Sequence, residues 1–249
     1  MKKIITTTLV AGLMASVAAA EGEVSATEVS VTVDYASAYV FRGVTANDSS
    51  VLQTGLEATG FGLPEGCGSL TLGVWGNFDL GDNDGALSTS EFSEVDLYAS
   101  YGLPSLIDGV DLFVGYTEYI YAADGVADKE LNAGLGFSVA DVALGATVYL
   151  GTGGGINGNE YFEFTAGYDL ELSEELGASL GASAAYFDPD SGNSGWSDSS
   201  VSASLSYSVC ESWSIGASVT YIGQLDDDVL TDAQHEVDTV GMLSLAGSF

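Results

Sequence analysis

From residue 29 the chain alternates. Val29, Val31, Val33, Tyr35, Tyr39 and Phe41 share one parity, and Ser30, Thr32, Asp34, Ala36 and Ala38 share the other. This two-residue period belongs to a strand whose two faces meet different surroundings. Eleven further segments repeat it, over about 51–61, 69–80, 92–102, 110–121, 129–139, 142–151, 160–171, 176–187, 199–209, 213–223 and 237–249. Their lengths match the roughly 9–11 residues with which a tilted strand crosses a hydrocarbon layer. The pattern predicts an all-β fold, a transmembrane antiparallel up-and-down β-barrel of about twelve strands. Closing the sheet satisfies every backbone group, the apolar parity meets lipid and the polar parity faces the lumen. A soluble β-sandwich shows the same alternation but has no need of aromatic residues at both strand ends.

The joins between segments alternate in length, as short periplasmic turns and longer outer loops do. ANDSS, GDNDGALSTSE, AADGVAD, GTGGGINGN, DPDSGNSGWSD and QLDDDVLTDAQ are the predicted outer loops. GLPEG, LPSLIDG, Ala140-Asp141, SEE and Cys210-Glu211-Ser212 are the inner turns. Aromatic residues collect at both levels, as amphipathic rings at headgroups do. Phe61, Tyr101, Phe137, Tyr168, Tyr207, Trp213 and Phe249 mark the periplasmic girdle, and Tyr39, Phe41, Phe78, Tyr119, Tyr186 and Tyr221 the outer one.

Both ends of the chain carry addresses. Residues 1–20, MKKIITTTLVAGLMASVAAA, combine a basic start, a short apolar core and small residues at Ala18 and Ala20. They are expected to be a signal peptide cut after Ala20, leaving 21–249 as the barrel. Gly241, Leu243, Leu245, Gly247 and Phe249 keep the alternation to the last residue. That run resembles the final strand of bacterial outer-membrane barrels, where it is the assembly signal; Leu243, Leu245 and Phe249 are its candidate residues. DYASAYVFRG at 34–43, with GVWGNFD at 73–79 and EVDLYASYG at 94–102, resembles the TorF-type porin family, also labelled Gcw_chp. The match is best over 29 to about 121. It implies an integral, multi-pass barrel of the Gram-negative outer membrane, with pore function and with lipid and the barrel-assembly machinery as partners. The very low basic content departs from that family.

Charge sharpens the picture. The chain holds 36 Asp and Glu against 4 Lys and Arg, a formal net charge of −32. Past Ala20 only Arg42 and Lys129 are basic. Nucleic acid is excluded as a partner, because phosphate binding needs clustered cations. An acidic proteome from a salty habitat explains such a balance equally well, so acidity alone names no function. Alternation puts Asp34, Glu57, Asp79, Glu94, Asp96, Glu130, Glu163 and Asp169 on inward positions, with Arg42 the one inward cation. Carboxylates along a narrow aqueous path gather cations and repel anions. The small inward set of strands nine to eleven, including Ser183, Ser200, Ser202 and Ser218, leaves room for such a path. The expectation is a passive channel for small solutes, cation-preferring and without a cofactor. The alternative is a closed structural or adhesive barrel with acidic outer loops. Arg42 has two compatible readings: a transverse field at a constriction, or plain neutralisation of Asp34, Glu57 or Glu94.

Catalytic chemistry finds no anchor. The single histidine, His235, lies in the last outer loop, and Ser and Asp are too abundant to mark a nucleophile. Gly153, Gly155 and Gly158 fit G-x-G-x-x-G but lie in a loop, without the strand and helix that a dinucleotide site requires. Cys67 and Cys210 fall on inner turns, where an oxidising compartment allows a bond that their separation around the ring opposes. No metal centre is predicted. Asp82 with Asp84, Asp188 with Asp190, and Asp226 to Asp228 offer calcium-type oxygens but match no calcium-loop motif.

Overall fold

Strand pairing turns the alternation into a wall. In the computed structural model, which describes residues 26–64, 66–81, 91–122 and 125–249, fourteen strands form. They are β1 (Glu28–Ala36), β2 (Tyr39–Phe41), β3 (Val44–Asn47), β4 (Val51–Thr59), β5 (Ser69–Asp79), β6 (Glu91–Gly102) and β7 (Val110–Tyr121). β8 (Asp128–Val139), β9 (Val142–Gly153), β10 (Glu160–Glu171), β11 (Leu176–Asp188), β12 (Gly195–Ser208), β13 (Trp213–Gln224) and β14 (Thr239–Ser248) follow. β1 and β4 to β14 close into one twelve-stranded antiparallel barrel, whereas β2 and β3 pair only with each other. The signal-peptide expectation over 1–20 falls outside the described residues, as do Asp82 and Asp84.

The seam that closes the barrel joins the two ends of the described chain. Val33 faces Leu245 and Tyr35 faces Leu243 across β1 and β14, and Val29 and Phe249 exchange backbone hydrogen bonds of 3.0 and 2.9 Å. Lateral register keeps each parity together around the ring. Asp34 stands opposite Ser244 and Gln53, Gln53 opposite Asn77, and Asn77 opposite Glu94. Asp34, Gln53, Asn77 and Glu94 of that row are buried, while neighbours of the other parity, such as Leu56, Leu97 and Leu243, stay exposed on the outside.

Three outer-girdle assignments need correction. Tyr39 and Phe41 do not extend the first strand upward, because β1 ends at Ala36 and both residues lie on β2. Tyr119 is on the inner parity of β7, 5 % exposed, with its hydroxyl on Glu130. Of the three that remain, Phe78, Tyr186 and Tyr221, the last is plainly exposed on the outside; at the other end Trp213 stacks edge-on against Phe249 with centroids 5.6 Å apart. Cys67 and Cys210 are both free and exposed.

Candidate functional site

What the first outer loop does decides the interior. After Ala36 the chain folds back into the barrel as the β2–β3 hairpin, with Phe41 paired to Val44 around a two-residue turn. Arg42 and Gly43 both take positive φ, 51° and 78°. This is the mirror-image turn whose twist matches flanking strands. Glycine is required at the second position, because a Cβ there would sit 2.6 Å from Leu230 Cδ2 and 2.8 Å from Asp198 Cβ. Arginine at the first position is costly, since side chains with a Cβ rarely adopt this region. Its guanidinium is what the position holds in place.

The hairpin is fastened along its length. At its base Ala36, Tyr39 and Val51 form a buried cluster against Phe41, Trp75, Val240 and Met242. Tyr39 donates its hydroxyl to Glu94 Oε2 at 2.8 Å. Asn47 donates to Asp79 Oδ1 at 2.7 Å, and Asn77 donates to the same oxygen at 2.9 Å. At the tip Arg42 crosses to the opposite wall and grips Glu130 with two hydrogen bonds of 2.6 and 2.9 Å. Its Cζ lies 4.8, 4.3 and 4.5 Å from the ring centroids of Phe41, Tyr149 and Tyr161. Paired forks and aromatic faces both suit guanidinium better than ammonium.

From above, the β13–β14 loop caps the hairpin. Thr45 N donates to the Gln234 carbonyl at 2.7 Å, and Glu236 N and Val237 N donate to Thr45 Oγ1. His235 Nδ1 is 2.8 Å from the Gly43 carbonyl oxygen, which can only accept, so that nitrogen carries the proton. The lone histidine is thus part of a strap rather than of a reactive pair.

The expected partners of Arg42 therefore change. It pairs with Glu130, not with Asp34, Glu57 or Glu94. Glu57 instead accepts the Tyr98 hydroxyl at 3.1 Å, and Asp169 accepts Ser179 Oγ at 2.7 Å. Glu163 and Asp198 face the guanidinium's aromatic cage from behind: Tyr149 donates to Glu163 at 3.3 Å, and Tyr161 to both oxygens of Asp198 at 3.1 and 3.0 Å. One guanidinium thus serves a neighbourhood of three carboxylates. Asp34, Asp79 and Asp96 each keep one buried oxygen without a hydrogen-bond partner. Lys129, on the opposite parity to Glu130, does not join this group.

Beneath the hairpin tip lies a cavity of about 60 Å³, bordered among others by Arg42, Tyr149, Glu163, Ser183, Asp198 and Ser200. That is room for a few waters, at roughly 10–15 Å³ each. Trp75 and Asp198 are inner-face residues beyond the expected set. Trp75, which shares the parity of Asp79 on β5, packs against Tyr39 at 5.6 Å. Asp198 shares the parity of Ser200 and Ser202, so starting β12 four residues earlier finds it. Outside the barrel, Asp226, Asp227 and Asp228 bring carboxylate oxygens within 4.8 Å of one another, all exposed.

Neither a protein-family model nor a curated protein matches the chain. Solved structures do. The COG4313 outer membrane channel from Pseudomonas putida F1 aligns at TM-score 0.59 and 11 % identity, over 95 % of this chain and 99 % of that one. NanC porin aligns at TM-score 0.52 and 11 % identity, covering 89 % and 98 %. KdgM porin aligns at 0.50 and 10 %, covering 89 % and 99 %. At such identities the likeness is one of fold: this chain is a closed β-barrel of the kind seen in outer-membrane channels and porins.

Proposed function

We propose that the protein is an outer-membrane channel for the passive diffusion of small solutes, narrowed by the β2–β3 hairpin and preferring cations. The observation that carries this reading is the charge of the interior. Carboxylates line the inner parity of most strands, and the one arginine that reaches the lumen is committed to Glu130. The small inner side chains of β11 to β13 leave space beside the hairpin, where Ser183 and Ser200 bond each other at 2.7 Å. A path with that lining concentrates cations. Purified protein in planar bilayers is expected to show small, cation-preferring conductance. The preference should weaken in high salt, where screening shortens to about 3 Å at 1 M. Protein that inserts without conducting would sink the channel reading. It would instead support a closed structural or adhesive barrel, which the capping of the hairpin by the last outer loop favours.

Assembly in the outer membrane belongs to the same proposal. Phe249 combines the exposed ring stacked on Trp213 with the backbone bonds that shut the β1–β14 seam. Replacing Phe249 with Ser removes the ring and keeps the backbone. Export across the inner membrane should be unchanged, while the yield of heat-modifiable, folded barrel falls. An undiminished yield of folded barrel would count against the C-terminal assembly signal.

A further inference from the structure

The hairpin does not divide the lumen evenly. Its base packs on β1, β4 and β5 through the Ala36, Tyr39, Val51 and Trp75 cluster. The carboxylates nearest that side, Asp34, Asp79, Glu94 and Asp96, are buried to the same degree as Asp198, at most 6 % exposed, so what sets them apart is their absence from the cavity lining. Two of them are bonded directly to the hairpin, Glu94 by Tyr39 and Asp79 by Asn47. The cavity beneath the tip reaches from β6 round to β13, and no described residue of β1, β4 or β5 borders it. Among the described residues, its only bordering carboxylates are Glu163 and Asp198; none comes from β1, β4, β5 or β6. Its wall runs from Tyr98 and Ser100 of β6 past Thr117 and Asn132 to the small hydroxyl residues Ser183, Ser200 and Thr220 of β11 to β13.

Resting on the channel reading, we infer that the passage is eccentric: solutes cross between the hairpin tip and the serine wall of β11 to β13, and Glu163 and Asp198 set their charge preference. Asp34, Asp79, Glu94 and Asp96, although they have the right parity, are shielded behind the hairpin. Arg42 contributes to the same filter. Its single positive charge is bonded to Glu130 and stands against three carboxylates, so Glu163 and Asp198 leave excess negative charge at the cavity. Both carboxylates are held by tyrosine hydroxyls, which fix their direction and donate no net charge. A field from two fixed carboxylates in a cavity of this size acts at close quarters, where water screens least. Small inorganic cations and compact ammonium ions are the class of solute that fits.

The test compares two isosteric neutralisations by reversal potential across a salt gradient. Glu163→Gln with Asp198→Asn keeps both tyrosine contacts and should move the channel most of the way to non-selectivity. Asp34→Asn with Asp96→Asn should leave selectivity within error. A second arm does not depend on selectivity. In a Cys67→Ser, Cys210→Ser background, a cationic thiol reagent should cut conductance by more than half at Ser200→Cys. It should have no effect at Ser244→Cys, whose hydroxyl is buried beside Asp34. Selectivity that follows Asp34 and Asp96 instead, or block at Ser244→Cys, would overturn the eccentric path while leaving the channel standing. Wild-type protein without conductance would overturn both.

Discussion

Excising the hairpin should raise conductance several-fold and strengthen cation preference at once. Ala36 and Val51 stand directly opposite each other in the β1–β4 register, so residues 37–50 can be replaced by an Asn-Gly pair, the dipeptide favoured for two-residue hairpin turns. The shortened protein keeps every strand of the wall. It loses the Tyr39 and Arg42 contacts that cross the lumen. A twelve-stranded barrel is wider than those of about 8 strands, which fill themselves with side chains, so removing the obstruction leaves a continuous aqueous path. Asp34, Asp79, Glu94 and Asp96 then line water instead of the hairpin, which adds negative field where wild type has little. Liposome swelling with sugars of increasing size would register the wider bore, and bilayer recordings the stronger preference. Unchanged conductance in a variant that still shows heat-modifiable migration would mean that the hairpin is not the obstruction.

Removing only the seat of the arginine should free the hairpin without deleting it. Glu130→Ala leaves a guanidinium that is 20 % exposed without its counter-ion. Breaking a buried pair from one side costs about 3–5 kcal/mol, a large fraction of what a short two-stranded hairpin can gain by docking. The chain supplies its own reporter, because Arg42 and Lys129 are the only basic residues beyond Lys3. Trypsin should leave the wild-type tip intact and cut Glu130→Ala after Arg42, giving a new N-terminus at Gly43. Noisier single-channel currents should accompany the cleavage. The Arg42→Lys variant tests the geometry: ammonium retains charge but loses the paired fork and the stacking on Tyr149 and Tyr161, so it should fall between the two. A Glu130→Ala protein as resistant as wild type would show that the base cluster alone holds the hairpin down.

The barrel was legible because its signal is local. Each spanning strand needs only its own alternation and the turns that flank it, and the predicted segments from 51 onward coincide with β4 to β14 within a few residues. The hairpin was not, for the same reason. Tyr39 and Phe41 continue the parity of Val29 to Tyr35, and nothing in a two-residue period distinguishes a strand that rises from one that folds back. What turns it inward is distant: Glu130 is 88 residues away and His235, at the Gly43 carbonyl, 192. Tyr119 differs: its height near a strand end suits a girdle, but it shares the inward parity of Thr117 and Tyr121. For the site, parity placed the carboxylates of the inner face but said nothing of which ones the hairpin covers. Asp198 was missed because β12 begins at Gly195 rather than at 199.

Those long separations in sequence carry a consequence for biogenesis. The β1–β4 pair can form as soon as the first third of the chain is present, yet the hairpin between them has no seat until β8 supplies Glu130, β9 and β10 supply Tyr149 and Tyr161, and the β13–β14 loop supplies its strap. Contacts between such remote partners form late, because the intervening chain must be organised first. Docking of Arg42 is therefore expected only after β8 to β10 are in place, and its capping only once the β13–β14 loop has formed. Until those strands have formed, the centre of the nascent barrel is expected to stay open, and the hairpin narrows it late in assembly.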